Sequence, residues 1–260
     1  MNINSERLIS RLKEHGDIGR DSEGRLSRLA FTDADKQGRD RLVRWMKDAG
    51  LDVAVDRIGN IHGVWKEDTT VDIDPIMMGS HIDTVLNAGI YDGIYGVLAG
   101  LEIILTLQES GHKPANPIII SAFSNEEGAR YAPDMLGSLV YSGDYCIDKA
   151  LATVGIDGSI LGSELERIGY AGFHEPGFMQ PKAYIELHIE QGPVLEKLGI
   201  PIGVVENLQG ISWQKITLDG VANHAGTTPM SMRADAGMAT AKVMTYLEDF
   251  VNKKGNGMVL

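Results

Sequence analysis

The sequence predicts an α/β fold: a mostly parallel central sheet flanked by helices, followed by the start of a second, smaller module. Three observations carry that expectation. Two short apolar runs, Ile76-Met77-Met78 and Pro117 to Phe123, bracket a strongly apolar helical stretch from Tyr95 to Leu107. Strand, helix, strand with apolar strands is the signature of parallel pairing. A third run, Ala183 to Leu187, repeats the pattern. Each run ends in a polar cluster, at His81, at Ser124-Asn125-Glu126 and at His188, and open α/β sheets build their sites at strand carboxyl ends.

The elements follow in order. Asn4 to Leu12 has a capping Ser5 and apolar residues at helical spacing. A second helix is predicted from Thr32 or Asp33 to Ala49, with Gly50 as its C-cap and Leu42, Trp45 and Met46 facing the core. Leu51 to Val55 and Ile61 to Trp65 read as strands joined by a turn at Ile58-Gly59-Asn60. The apolar run at Ile76 reads as a buried strand ending at Gly79-Ser80-His81, with the Tyr95–Leu107 helix packed on the sheet behind it. Residues 131–180 are mixed, with a short helix at Ser163 to Ile168, and Ala183 to Leu187 reads as a buried strand. Near residue 210 the character changes. Ile211 to Leu218 alternates like a half-exposed strand, Asn223 to Pro229 is rich in turn residues, Met232 to Val251 is an amphipathic helix, and Gly257 to Leu260 opens another strand. The expected division is therefore residues 1–210 as a catalytic domain and 211–260 as the start of a second domain. A strand, a helix and a half-begun strand cannot bury a core alone, so the second module reads as cut short.

Composition narrows the function. With Lys+Arg 24 against Asp+Glu 36, the net charge of −12 argues against nucleic acid or an anionic membrane surface as partner. No stretch approaches the roughly 18 apolar residues of a membrane span. The N-terminus lacks a basic region followed by an apolar one, and Cys146 is the single cysteine. A reducing, cytoplasmic setting is the expectation.

Four motifs carry the chemistry: Gly79-Ser-His-Ile-Asp-Thr-Val85, Tyr91-Asp-Gly93, Ser124-Asn-Glu-Glu-Gly128 and Glu186-Leu-His-Ile-Glu-Gln-Gly192. In extended chain His81 and Asp83 share a face, so Asp83 could orient a ligating imidazole; alone, the pair reads equally well as a buried histidine satisfied by its neighbour. Asp92 could bridge two metals, and alone it reads better as a helix cap. Glu126 and Glu127 are adjacent carboxylates after a buried strand, a costly placement without a cation, unless they lie in a surface loop. The functional reading divides them: Glu127 binds metal, and Glu126 takes a proton from the attacking water and returns it to the leaving nitrogen. A lone histidine after a strand is more often structural, but His188 is followed by a polar cluster that fits a site rim. The loop Asn223-His224-Ala-Gly-Thr-Thr-Pro229 offers hydrogen-bond groups without a carboxylate, suited to a polar substrate or an oxyanion, or serves as an ordinary turn. Together the motifs point to a hydrolase using two divalent ions of the zinc, manganese or cobalt type.

At these residues the chain resembles the co-catalytic dinuclear metallopeptidase and amidohydrolase superfamily of aminoacylases and glutamate carboxypeptidases. Within it, the likeness is to N-carbamoyl-L-amino-acid hydrolases, with allantoate amidohydrolases and β-ureidopropionases nearby. It is carried by the His81, Glu126 and His188 motifs and by Asn223-His-Ala-Gly-Thr-Thr-Pro-Met230, and runs from about residue 30 onward. The resemblance implies a zinc-peptidase-like catalytic domain and the start of an α+β lid that makes a homodimer. It implies that His81, Asp92 and His188 hold one metal, and that Asp92, bridging, and Glu127 hold the other. Glu126 would be the general base, Asp83 would orient His81, and Gln191 and His224 would contact a small ureido substrate. It also implies a strained, cis-type peptide after Asp92. The family's second metal takes a further histidine from later in a longer chain, whereas His224 is the last histidine here. The chain is thus expected to be an N-terminal fragment, inactive or nearly so by itself.

Overall fold

The computed structural model describes residues 2–66, 73–208, 210–212 and 214–255. They fall into two compact units, Met1–Gly199 and Ile200–Leu260.

The first unit is built on a five-stranded sheet in the order β1-β2-β4-β3-β5: β1 (Asp52–Val55), β2 (Ile61–Trp65), β3 (Ile76–His81), β4 (Ile118–Phe123) and β5 (Ala183–Ile185). β3 pairs in parallel with β4 and β5, while β2 is antiparallel to both β1 and β4. Only β2 therefore runs against the other four strands. The parallel half is the half whose strand ends carry His81, Glu126 and His188.

Helix α1 (Ser5–Gly16) is capped by Asn4, whose side chain accepts from Arg7 N, rather than by Ser5. Asn4 sits outside the helical backbone, where a cap side chain can fold back. Helix α2 (Asp33–Asp48) is capped by Thr32 and buries Leu42, Trp45 and Met46 as the spacing predicts. Helix α3 (Ile94–Glu109) is apolar nearly all round and buries Ile94, Val97, Leu98, Leu101 and Ile104 against the sheet. A fully buried aliphatic side chain of this kind contributes about 1.5–3 kcal/mol, so this layer is a main source of the unit's stability. Short helices α4 (Leu136–Ser142), α5 (Ile147–Leu151) and α6 (Leu161–Arg167) cover the segment after β4, and α7 (Val194–Leu198) follows β5.

Two strand expectations change. The third apolar run forms only the three-residue β5, and it is exposed rather than buried. It lies at the sheet edge and, among the described residues, pairs with β3 alone, leaving Tyr184 and Ile185 42% and 57% accessible. An edge strand flanked on one side gets half the ladder and less cover.

In the second unit, the described residues of 211–218 form no strand, because an alternating segment becomes one only against a ladder partner. A 3-10 turn at Met230–Met232 leads into α8 (Ala236–Lys254), capped by Asp235 and without a buried residue. The expected strand at 257–260 lies outside the described residues.

Candidate active site

The site begins with how β3 ends. His81 is its last residue and is buried. Its Nδ1 donates to the main-chain carbonyl of Asp83 at 3.0 Å, and Asp83 Oδ1 lies 3.7 Å away. The Asp83 carboxylate makes its hydrogen bonds elsewhere: Oδ1 accepts from Glu126 N at 3.1 Å and Oδ2 from Glu127 N at 3.2 Å. Asp83 thus holds the histidine through its backbone and the Glu126-Glu127 turn through its side chain. The turn itself has Asn125 and Gly128 at φ 51° and 62°.

Asp92 enters just before α3. Ile94 N donates to Asp92 O at 2.7 Å across Gly93, whose φ 65° and ψ −60° make a γ-turn of the rare positive-φ hand. The strain expected here resides in that turn and not in a cis bond; among the described residues the cis peptide is Ala132-Pro133. A side chain at 93 is also excluded by space, since a Cβ would stand 2.5 Å from the His81 ring. Glycine here lets the Asp92 loop close onto the imidazole.

His188, 36% exposed, follows the end of β5. Its Nδ1 donates to Ile189 O at 2.7 Å, and its Nε2 lies 3.2 Å from Asp92 Oδ1, poorly aligned for a hydrogen bond. Gln191, at φ 51°, donates Nε2–H to Asp92 Oδ2 at 2.5 Å. Among the described residues, two groups of side chains converge closely enough to hold a cation: His81, Asp92, His188 and His81, Glu126, Glu127.

The donor set fits divalent metal. Both imidazoles have Nδ1 committed to a carbonyl, which leaves the Nε2 lone pair for a ligand. Yet each Nε2 faces a carboxylate oxygen: Asp92 Oδ1 for His188, and Glu126 Oε2 at 3.4 Å for His81. Two electron-rich atoms face each other stably only with a proton or a cation between them. Titration reflects the same conflict. Burial opposes protonation of His81, but Asp83, Glu126, Glu127 and Asp92 outweigh it and raise its pKa. Contact with Asp92 pushes His188 up to about 9, and contact with His188 holds Asp92 below the usual carboxylate range. Burial raises Glu126 and Asp83 and pushes Glu127 up to about 7. Asp92 Oδ1 and Glu127 Oε1 are buried without a hydrogen-bond partner, as ligand atoms are when the ion is set aside.

His224 belongs to the second unit. There its Nδ1 accepts from Gly226 N at 3.1 Å, which makes Nε2 the protonated, donating nitrogen. Arg233 holds the loop by donating to Thr228 O at 3.0 Å and Ala225 O at 2.5 Å.

Several supporting residues escape the sequence reading. Buried Arg28 donates to Ile82 O at 2.8 Å, and its backbone N to Thr84 Oγ1 at 2.8 Å, fixing the chain around Asp83. Buried Arg39 pairs with Asp35 at 2.7 Å and donates to Ser124 Oγ at 3.1 Å, beneath the Glu126 turn. The spacing of Asp35 and Arg39 at i and i+4 was visible, but it normally marks a surface pair. Glu186 opens the motif that holds His188, and nothing in the sequence alone marks a role for it.

The chain is similar to known amidohydrolases in sequence and in fold. The chain is 40% identical to an N-carbamoyl-L-amino-acid amidohydrolase of Rhizobium meliloti, over 99% of its own length and 62% of that protein's. It is 33% identical to allantoate deiminase 1 of Glycine max, over 94% of its length and 51% of that protein's. Its fold matches the crystal structure of a hydantoinase/carbamoylase family amidase from Burkholderia ambifaria with a TM-score of 0.81 and 41% identity, covering 98% of this chain and 62% of that one. The chain thus spans about three fifths of the length of those carbamoylase-type relatives. Residues 77–257, which contain every ligand candidate, match the profile of peptidase family M20/M25/M40, and the chain belongs to that family.

Proposed function

We propose that the protein is a metal-dependent amidohydrolase that removes the carbamoyl group of N-carbamoyl-L-amino acids. The observation that carries this is the pair of imidazoles with Nδ1 held and Nε2 aimed at carboxylates, beside a further acid, Glu126. The amidohydrolase relatives supply the substrate class. His81, Asp92 and His188 would hold one ion, Asp92 and Glu127 the other. Two ions of the zinc, manganese or cobalt type, when bound, supply Lewis acidity toward water and the ureido carbonyl.

Glu126 is the general base. Burial raises its pKa, which makes it a better proton acceptor than an ordinary surface carboxylate. It takes a proton from the attacking water and delivers it to the leaving nitrogen. With one water consumed, the products are the free amino acid, ammonia and carbon dioxide. His224, with Nε2–H as donor, polarises the scissile carbonyl and holds the developing oxyanion. Gln191 contributes to substrate contact and Asp83 to the orientation of His81. Residues 1–210 serve as catalytic domain and 211–260 as part of the lid, through which two copies associate. The apolar side chains of α8 exposed there, Met244, Tyr246 and Phe250, suit that association. A cytoplasmic site of action is in keeping with the single cysteine. Among the described residues, no helix is long and apolar enough to cross a membrane.

Glu126→Gln in a version as long as the relatives tests the role: metal content is kept while kcat on N-carbamoyl amino acids falls by about 10²-fold or more. Retained turnover would refute it. The allantoate deiminase relatives make allantoate the main rival substrate. Turnover of N-carbamoyl amino acids, allantoate and dipeptides, compared for this chain and for a version as long as its relatives, separates the readings.

A further inference from the structure

The ladder between β3 and β5 ends at the Met78–Ile185 pair, yet the ligand imidazoles lie beyond it, at His81 and His188. Something other than backbone pairing must hold those two chain ends at a fixed spacing. Glu186 stands in that gap. Its Oε1 accepts from Ser80 Oγ, next to His81, at 2.5 Å. Its Oε2 accepts from Tyr184 Oη, on β5 itself, at 2.7 Å. The carboxylate is therefore gripped by one hydroxyl from each ligand-bearing strand. Behind it, Gly96 of α3 admits the Leu187 carbonyl so closely that a Cβ there would stand 2.7 Å from it and 3.0 Å from Ser80 Cβ. The segment leading to His188 is thus pressed against α3 on one side and tied to β3 by Glu186 on the other.

We infer that Glu186 is a positioning residue that sets the spacing of His81 and His188 and thereby the metal affinity of the His81, Asp92, His188 group. It ligates no metal and moves no proton; both its oxygens are engaged by hydroxyl groups. The inference rests on the metal-binding reading of the site. Its chemistry makes a sharp distinction between variants. Gln has the same length, and its amide can donate to one hydroxyl and accept from the other, so it keeps the clamp and drops the charge. Asp is one methylene too short to reach both hydroxyls, and Ala has no clamp.

The test is calorimetric titration of the metal-free chain with Zn²⁺, alongside thermal melts of the same metal-free samples. Glu186→Ala and Glu186→Asp are expected to weaken zinc binding by about 10-fold or more, the range for residues supporting ligands. Glu186→Gln stays within about threefold of the parent by the same reasoning. The melting temperature of the metal-free chain changes little, because β5 is an exposed edge strand. Combined with His188→Ala, Glu186→Ala adds no further loss, since the two act as one unit. Full additivity in that cycle, parent-like affinity in Glu186→Ala, or a Gln variant as weak as Ala would each overturn the inference. If the parent chain binds no zinc, the metal-binding reading falls first and the inference with it. If the parent binds and the variants bind equally, only the inference falls.

Discussion

The two shoulders of the site are built differently. The Glu126-Glu127 turn stands on a buried polar frame. Ser124 N donates to Asn60 Oδ1 at 2.8 Å, Asn125 Nδ2 to Tyr131 O at 2.8 Å, Met135 N to Glu126 O at 2.7 Å, and both glutamate amides to Asp83. The His188 shoulder follows an exposed edge strand and is tied by side chains, Glu186 to Ser80 and Gln191 to Asp92. The acidic shoulder is thus preorganised where repulsion would otherwise spread it, and the imidazole shoulder is left to be completed by its ligand. Like charges need a rigid frame to remain close, whereas an imidazole facing a carboxylate does not. Metal should then tighten the His188 side much more than the Glu127 side.

The largest effect is expected at the joint between the shoulders. In Gly93→Ala the new Cβ meets the His81 ring at 2.5 Å and the backbone is held at φ 65°. Strain of this kind costs about 1–3 kcal/mol. Gly93 sets the Asp92 loop, which the two proposed ions share, and its approach to His81, so zinc titration should show weakened binding at each and the melt should fall. Normal zinc stoichiometry and affinity would mean that the Asp92 loop has other ways to close. Asp83→Asn comes next and strikes the acidic shoulder alone. An amide cannot accept from both glutamate N–H groups, and a buried unsatisfied donor costs about 1–3 kcal/mol. The melting temperature should drop even without metal. An unchanged melt would show that the acidic shoulder is not preorganised by Asp83.

Acidity separates the shoulders without damaging either. In the metal-free protein Glu127 is raised from 4.5 to about 7, so the folded state binds that proton more tightly than the unfolded state. Its contribution is complete below the unfolded value and is lost as pH rises through about 7. His188, raised from 6.5 to about 9, contributes fully below 6.5 and loses that contribution as pH rises through about 9. Asp92 is lowered and acts oppositely, its contribution being lost only in acid. Melting temperature of the metal-free protein should therefore decline from mildly acid to alkaline pH. Glu127→Gln should flatten the lower part and His188→Gln the upper part, each by about 2–4 °C. Solvent at these half-exposed groups screens part of the effect. Zinc should remove the decline, because the ion replaces the protons.

How much of this was legible in sequence follows the same division. His81, Asp92, Glu127 and His188 stood out because each is a chemically unusual residue at the end of an apolar run or beside a glycine. The parallel half of the sheet was legible because buried parallel strands read as unbroken apolar runs, and α3 between them is apolar all round. The frame was not. Arg28, Arg39 and Asn60 act through burial, and a buried charged residue is indistinguishable in sequence from an exposed one. The exposure of β5 was equally hidden, since Ala-Tyr-Ile reads as a core strand whether or not anything covers it. Nor does Ile211 to Leu218 carry its own answer, because alternation specifies a face and says nothing of a partner.

The smallest expected effect is the most informative about the looser shoulder. Gln191 is exposed and spans to Asp92 by one hydrogen bond. Gln191→Ala leaves the positive-φ backbone equally strained, because neither residue is glycine. An exposed substitution of this kind changes stability by about 0.5 kcal/mol or less. If His188 and Asp92 are held mainly by side-chain ties, the same substitution should still weaken zinc binding severalfold while the melt of the metal-free protein stays put. That combination, affinity lost without stability lost, is what distinguishes a shoulder completed by its ligand from one built in advance. Equal losses in both readouts, or in neither, would make the two shoulders alike.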